Sequence, residues 1–224
     1  MINTNSLGIL GQFYFNIKES FKSIYQNSNF YEKKISKTFE NSFEYKPSPH
    51  LLSSIIKYQN KKYKIEDFAI ESIWQNNLNS KDYEKLNNFF WFFSLDLKSS
   101  KKTTQTVIKN WISNNSKYQK KSWEFDLTAK RIISWLSNHQ LTYEDSDQEY
   151  RSTFDHMIQK QTNHLLNEIK NSKEVENKMI GCSAIILTGL AYKNEKQYLL
   201  SGLNLLKNII KSSIDNQGFP KSRN

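Results

Sequence analysis

Apolar residues recur at helical spacing in successive segments of the sequence from residue 80 to residue 214. Phe154, Ile158 and Leu165, for example, lie four and seven positions apart, which is the pattern of a helix that buries one face. The chain has only 6 Gly and 3 Pro in 224 residues, too few turn residues for a fold built from many short strands. These features predict an all-α fold.

About six helices are predicted after residue 80, arranged as three antiparallel pairs with short connections. The first covers residues 80–97, the second follows a polar break at 98–102, and the third carries the apolar residues between 127 and 136. Ser146 and Glu149 predict a capping box at the start of the fourth, and the last two cover 175–192 and 196–214. Such hairpins stack as a solenoid or curl into an α/α toroid, and periodicity does not separate the two.

The first 79 residues show a different pattern. Residues 7–25 are predicted to be helical, whereas residues 27–49 are polar and contain Pro47 and Pro49, which exclude a regular helix at those positions. A short helix is predicted at 50–58. We therefore divide the chain into an N-terminal helical and irregular segment, 1–79, and a helical domain, 80–224.

The chain carries 32 Lys and Arg residues against 22 Asp and Glu residues, a net charge of +10. Such an excess favours an anionic partner, for example nucleic acid, an acidic membrane surface or an acidic polysaccharide. An AT-rich genome would also produce a chain that is rich in Lys, Asn, Ser and Ile. Charge alone leaves both explanations open.

Several kinds of site and location are disfavoured by the sequence. The single cysteine, Cys182, lies in an apolar run, which predicts a small buried thiol and excludes an internal disulfide. His156 and His164 lack the i, i+4 spacing and acidic partner of a metal site, so we expect no metal and no other cofactor. No segment approaches 18 apolar residues and no signal peptide is visible. This predicts no membrane span and, by default, a cytoplasmic location.

Three stretches of the sequence, taken in order, resemble the N-terminal domain of heparinase II/III-like proteins of bacteria. Residues 86–95, L-N-N-F-F-W-F-F-S-L, are similar to the family's L-x-x-F-x-W/Y-L helix. Residues 123–136 closely resemble its W-x7-R-I-x-x-W-L signature. Residues 184–190, A-I-I-L-T-G-L, and 214–224, I-D-N-Q-G-F-P-K-S-R-N, are similar to its A-L-x-x-A-G-L helix and D-G-G-H-x-S/E-R-x-P motif.

The resemblance implies a fold and an activity. Complete members combine an α/α toroid with an antiparallel β-sandwich domain and cleave uronic-acid polysaccharides by β-elimination. A polar group neutralises the uronate, a Tyr or His removes the C5 proton, and a Tyr or His protonates the leaving oxygen. We therefore expect residues 80–224 to form an incomplete α/α toroid whose partner is a following β-sandwich domain. A periplasmic location is the one that family analogy favours.

Five residues are candidates for the site. By resemblance, Asn177 is the candidate group that neutralises the uronate in catalysis, and Arg223 and Asn224 are candidates for substrate binding. Arg131 and Trp135 are four positions apart and share a helix face, so a sugar could stack on the indole while the guanidinium pairs with a carboxylate. The alternatives are that Trp135 fills the helix-packing core while Arg131 is solvated or caps a neighbour, and that Asn177 caps a helix.

The sequence departs from the family pattern at two places. Glu176-Asn177-Lys178 stands where many family lyases have an Asn-His pair, and the chain ends inside the last motif, before the usual Tyr and His. We therefore expect a polysaccharide-lyase domain that binds an acidic polysaccharide weakly, in a salt-sensitive way, and does not cleave it. The rival function is a basic helical module for nucleic acid or an acidic protein, although the lysines form no continuous stripe and no nucleic-acid motif is present.

Overall fold

A computed structural model describes residues 4–36, 80–94, 101–192, 195–215, 217–219 and 221. In these parts of the chain every regular element is a helix and none is a strand, so the predicted all-α class is confirmed. The elements are α1 (Thr4–Gln26), α2 (Asn29–Ile35), α3 (Ser80–Asn87), a 3₁₀ helix (Phe90–Ser94), α4 (Lys101–Asn115), α5 (Phe125–Ser137), α6 (His139–Thr142), α7 (Gln148–Glu168), α8 (Val175–Ala191) and α9 (Lys196–Ser213).

Helix α5 is the central helix of the described fold. It packs against α7, α8 and the 3₁₀ helix, and from Leu127 to Ser137 every residue except Lys130 is buried. A helix that is covered on all sides must satisfy its polar side chains internally. The roles of the polar residues of α5 are therefore determined by the hydrogen bonds that they make inside the protein.

Helices α8 and α9 form the closest helix pair. A Cβ atom on Gly189 would lie 2.3 Å from the backbone nitrogen of Leu199, and one on Gly202 would lie 2.7 Å from Cγ1 of Ile186. The two glycines therefore allow the helix backbones to approach more closely than any larger side chain would permit. The last two predicted helices are present as a pair, and Cys182 is buried in α8 as expected.

The first predicted helix, 80–97, is wrong in its second half. Helix α3 ends at Asn87, and Phe89 adopts a positive φ of 59°, which turns the chain before the 3₁₀ helix begins. The turn is stabilised by Asn88, whose side-chain oxygen accepts a hydrogen bond of 2.9 Å from the Phe90 N–H. The aromatic residues of this stretch are therefore presented from a turn, where Phe89 and Phe92 are buried.

Two helix starts also differ from the sequence prediction. Helix α2 lies within the stretch predicted to be irregular, because Ser28 caps it by accepting a hydrogen bond from the Tyr31 N–H and because Tyr31 and Ile35 are buried. Helix α7 is capped by Asp147, whose carboxylate accepts from the Tyr150 N–H at 2.7 Å. Ser146, the predicted cap, instead donates to the Tyr143 carbonyl. The short helix predicted at 50–58 lies outside the described residues.

None of the helices in the described ranges combines the length and the apolar character that a bilayer crossing requires. This agrees with the prediction of no membrane span.

Candidate functional site

Arg131 is a buried cation that joins three separate parts of the chain. Its guanidinium donates to the carbonyls of Asn87 and Ser122, both at 2.9 Å, and to Oε1 of Gln161 at 3.1 Å. A further hydrogen bond goes to Thr128, and the guanidinium carbon lies 3.9 Å from the centre of the Trp111 ring. Burial lowers the pKa of Arg131 to about 9. Planar, multiply donated contacts of this kind are what arginine makes and lysine cannot.

Trp135 lies in the same core. Its ring packs edge-on against Phe89 at 5.2 Å and Trp111 at 5.6 Å, and it also contacts Phe154. Both Trp135 and Arg131 are 0% exposed, so no face of the indole is open to a sugar ring. The substrate-binding role predicted for these two residues does not agree with this burial. The alternative prediction, that Trp135 fills the helix-packing core, agrees with it. Arg131 and Trp135 belong to the buried core behind the candidate site.

A cleft of about 520 Å³ lies between α1, the 116–125 segment and the end of α7. Tyr118, Trp123 and His164 line its inner part, with ring centroids between 5.6 and 6.3 Å apart. Its charged lining consists of three lysines and three glutamates, namely Lys22, Lys120, Lys121, Glu19, Glu124 and Glu168. A groove with aromatic surface and charged walls can hold a polar, ring-containing ligand.

The cleft is closed at one side by contacts from α1. Lys22 forms an ion pair with Glu168 on α7, and the Tyr118 hydroxyl donates to Oε1 of Gln26 at 2.7 Å. On the facing wall, the Lys121 ammonium lies 3.8 Å from the centre of the Tyr83 ring. Ser122, whose carbonyl is held by Arg131, directly precedes Trp123 in the cleft lining. The core arginine therefore positions the cleft wall without touching the cleft.

His164 is fixed in one neutral form behind the cleft. Its Nε2 lies 2.9 Å from the Trp123 carbonyl, which can only accept, so Nε2 carries the proton and donates. Its Nδ1, 2.7 Å from the Tyr31 hydroxyl, therefore accepts from Tyr31. Burial lowers the pKa of His164 to about 4, and burial raises the pKa of Tyr31 above its usual range. Both groups hold structure at neutral pH and neither is available as a base.

Tyr118 is the phenol that faces the cleft, and it remains protonated at neutral pH. Burial, together with the nearby Glu168 and Glu19 carboxylates, raises the pKa of Tyr118 to about 12. Tyr118 is therefore not a proton acceptor. Because its one hydroxyl proton is already donated to Oε1 of Gln26, Tyr118 offers the cleft its ring and the lone pairs of its oxygen. Glu124, in the same 116–125 segment, has a raised pKa because it is partly buried and lies near Asp126 and Glu84.

A second polar cluster surrounds Asp155 on α7. Its carboxylate accepts hydrogen bonds from Tyr192 at 2.8 Å and from Tyr143 at 3.0 Å. Burial raises the pKa of Asp155 to about 6, although both phenols and Arg151 act in the opposite direction. Neither here nor at any other place in the described residues is a group of three or more His, Cys, Asp or Glu side chains placed to hold a metal ion.

The remaining predicted site residues are separate from the cleft. Asn177 is the third residue of α8 and is partly exposed, and it is not the helix cap, which is Glu174. It is not among the residues that line the cleft, so its role as a neutraliser stays a prediction. Arg223 and Asn224 lie outside the described residues.

The cleft residues were not predicted from the sequence. Residues 114–122 are mostly polar in the sequence. Tyr118, Lys120, Lys121 and the following Trp123 nevertheless form a mixture of aromatic and basic residues that suits an anionic ring-containing ligand. The contribution of α1 and of His164 could not be found this way. They approach this segment from positions tens of residues away in the chain.

Comparison of the chain with protein-family models, with curated proteins and with solved structures found no match. The family resemblance therefore depends on the motifs quoted from the sequence and on the positions that those motif residues occupy.

Proposed function

We propose that this chain is the helical domain of a heparinase II/III-like polysaccharide lyase, with the helices ordered as an α/α toroid. The observation that carries the proposal is the meeting of the three resembling stretches around one centre. Arg131, from the second stretch, donates to the Asn87 carbonyl in the first. The third stretch, on α8, packs against α5, which carries Arg131.

Residues at variable positions of the quoted patterns, or outside them, connect the motif residues at this centre. Ser134 donates to the carbonyl of Phe89, whose positive φ gives the turn its shape, and the Trp111 indole N–H donates to Asn87 at 2.9 Å. A chain with the same spacing as Trp123, Arg131 and Trp135 would have an arginine donor and two indole rings at the same positions relative to helix α5. A similar motif is therefore expected to accompany a similar helical arrangement.

We assign the cleft between α1, the 116–125 segment and α7 to binding of an acidic polysaccharide. Lys120 and Lys121 supply positive charge on one wall, and Tyr118 supplies an aromatic ring. Carboxylate and sulfate groups pair with ammonium groups, and sugar rings lie against aromatic faces. Asn177 remains the candidate neutraliser of the uronate, at the N-terminal turn of α8.

The test is binding of uronate polymers by a variant that lacks two cleft charges. In Lys120→Ala/Lys121→Ala we expect the Kd for alginate or a heparin-like polymer to rise about tenfold, since two partly exposed ion pairs contribute about 1.4 kcal/mol together. The Kd is measured by calorimetry at low and at physiological salt. The matched control is Lys207→Ala/Lys211→Ala, which removes two exposed lysines from α9.

Equal losses in the two double variants would contradict a site in the cleft and indicate binding by net charge. Duplex DNA is measured in parallel. Tighter binding to DNA than to any uronate polymer, with the same loss in the cleft variant, would replace our proposal by the nucleic-acid alternative.

A further inference from the structure

Helix α1 has its polar face turned towards the protein. Glu19, Lys22, Ser23 and Gln26 line the cleft, Lys22 is paired with Glu168, and Gln26 accepts from Tyr118. A surface helix normally buries its apolar face and exposes its polar one. Here α1 contacts the cleft through a hydrogen bond and an ion pair, Tyr25 packs edge-on against Tyr31 of α2, and the described apolar side chains on the opposite face are exposed.

The outward face of α1 carries an apolar stripe, which we define as Tyr14, Ile17, Phe21 and Ile24. Three of these side chains are about 70% exposed, namely Tyr14 at 71%, Phe21 at 70% and Ile24 at 69%. The intervals between the four residues are three, four and three positions. In the sequence the same alternation continues back to residues 10 and 7, both leucine. A three-four alternation is the spacing of a helix that pairs with another helix along a seam.

The exposed area is large enough for a stable partner interface. Tyr25 and Phe30, at the end of α1 and the start of α2, are also exposed and extend the stripe. At about 150–250 Å² for a fully exposed aromatic side chain, the exposed fractions of Tyr14, Phe21, Tyr25 and Phe30, namely 71%, 70%, 39% and 70%, amount to roughly 400–600 Å². That is at the upper end of the largest apolar patch of a typical monomer, about 300–600 Å². With the exposed parts of Ile17 and Ile24 added, two copies together would clear the roughly 1,000 Å² expected of a specific interface.

We propose that α1 is a self-association helix, and that two copies of this chain pair through the stripe. The seam spacing selects a helix as the occupant, and a second α1 is a helix of matching length with the same stripe. A two-fold pair brings each stripe onto its own copy, so self-complementary apolar residues are sufficient. The only charged residue that flanks the stripe at a seam-edge position within Tyr14–Ile24 is Lys18, so like-charge repulsion along the seam is small.

A membrane surface fits the same helix less well. Helices that lie in a bilayer surface carry a polar face rich in Lys and Arg that meets the headgroups. In α1 that face contacts the rest of the protein, and Lys22 is already paired with Glu168. The stripe is therefore assigned to a protein seam, and lipid binding becomes one outcome of the test.

The experiment is sedimentation equilibrium of the 224-residue chain over a wide range of concentration. We expect the mass of two chains, and the mass of one chain for Phe21→Glu/Ile24→Glu, because two charges would be buried in the seam. The matched control is Leu200→Glu/Leu203→Glu on α9, where both leucines are also exposed, and it should remain a dimer. Circular dichroism and thermal unfolding establish that each variant is folded.

Cysteine crosslinking measures the same contact without removing apolar surface from the whole stripe. The natural Cys182 is buried, so a thiol introduced by Phe21→Cys, or an equimolar mixture of Ile17→Cys and Phe21→Cys chains, reports the seam under mild oxidation. Crosslinked dimer in either sample supports the pairing. A chain that is monomeric at every concentration overturns the proposal, as does a monomer that binds anionic phosphatidylserine vesicles through the stripe.

Discussion

At the scale of single residues, Arg131 shows how a charged side chain can be a core residue. Its donors reach Asn87, Ser122 and Gln161, and the acceptors are neutral carbonyl and amide oxygens together with the face of Trp111. A buried charge is costly unless it is hydrogen-bonded on all sides. Because the donors lie in one plane and point in three directions, a single side chain aligns three segments that are far apart in sequence.

We expect Arg131→Lys to destabilise the protein by about 3–5 kcal/mol, although it conserves the charge. The compact ammonium of lysine cannot span the acceptors that Nε, Nη1 and Nη2 of Arg131 reach, so buried oxygens lose their donors. The measurement is chemical denaturation followed by circular dichroism. The neighbouring Lys130→Ala is the control, because its ion pair with Asp126 is partly exposed and contributes about 0.5 kcal/mol. A loss of the same small size in both variants would contradict the central role of Arg131.

At the scale of elements, α7 holds the short helix α2 against the domain. Lys160 on α7 is buried and binds both Glu32 on α2 and the Ser116 carbonyl. Asn163 donates to the Ile35 carbonyl at 2.8 Å, and Tyr31 donates to His164. Successive turns of α7 thus place three polar side chains on one face, where each satisfies a group of α2. An element whose apolar surface is small is fixed here by buried hydrogen bonds.

The α8–α9 pair is fixed by close approach instead, and glycine substitutions test it. We expect Gly189→Ala to destabilise the protein by about 1–3 kcal/mol, since its new methyl group would lie 2.3 Å from the Leu199 backbone and the helices would have to separate. Gly11→Ala on α1 is the control. It meets nothing within 4 Å, so its higher helix propensity should stabilise α1 by about 1 kcal/mol. Thermal unfolding of both variants decides, and a neutral Gly189→Ala would contradict the close contact.

At the scale of the whole molecule, two buried groups make stability depend on pH in opposite directions. Burial lowers the pKa of His164 from 6.5 to about 4, so the unfolded chain binds its proton first and stability falls as pH drops from 6.5 to 4. Burial raises the pKa of Asp155 from 3.8 to about 6, so the folded chain binds this proton first. The contribution of Asp155 to stability therefore increases as pH drops over nearly the same interval. In the native protein the two contributions largely cancel.

Asp155→Asn should therefore uncover the contribution of His164. We expect this variant to lose about 3 kcal/mol more than the native protein between pH 6.5 and pH 4, since each unit of pKa shift corresponds to about 1.4 kcal/mol. His164→Gln should show the mirror change, with stability that rises relative to the native protein as pH falls. Denaturant midpoints across the pH range give both curves. Parallel curves for the three proteins would contradict the burial of either group.

The helical class, the approximate limits of α5, α8 and α9 and the buried Cys182 follow from the sequence by itself, because apolar periodicity is a local property of a helix. The predicted helix limits were wrong where side-chain hydrogen bonds or packing determine the end of a helix. Asp147 replaced Ser146 as a cap, Ser28 started a helix in a polar stretch, and the φ of Phe89 divided one predicted helix. The position of a helix end depends on which side-chain oxygen can accept a hydrogen bond from a backbone N–H and on which aromatic ring can be buried. Apolar periodicity does not contain that information.

Only the tertiary structure decided what the polar and aromatic residues do. Arg131 and Trp135 share a helix face in sequence, but α5 is covered on all sides, so both became interior residues. The cleft, in contrast, brings Lys22 and Gln26 of α1 to Tyr118 and to Glu168 of α7. A helix pattern tells which side chains share a face, whereas the partner of that face is set by packing between distant segments. For α1 the packing reversed the expected order and left its apolar stripe facing out.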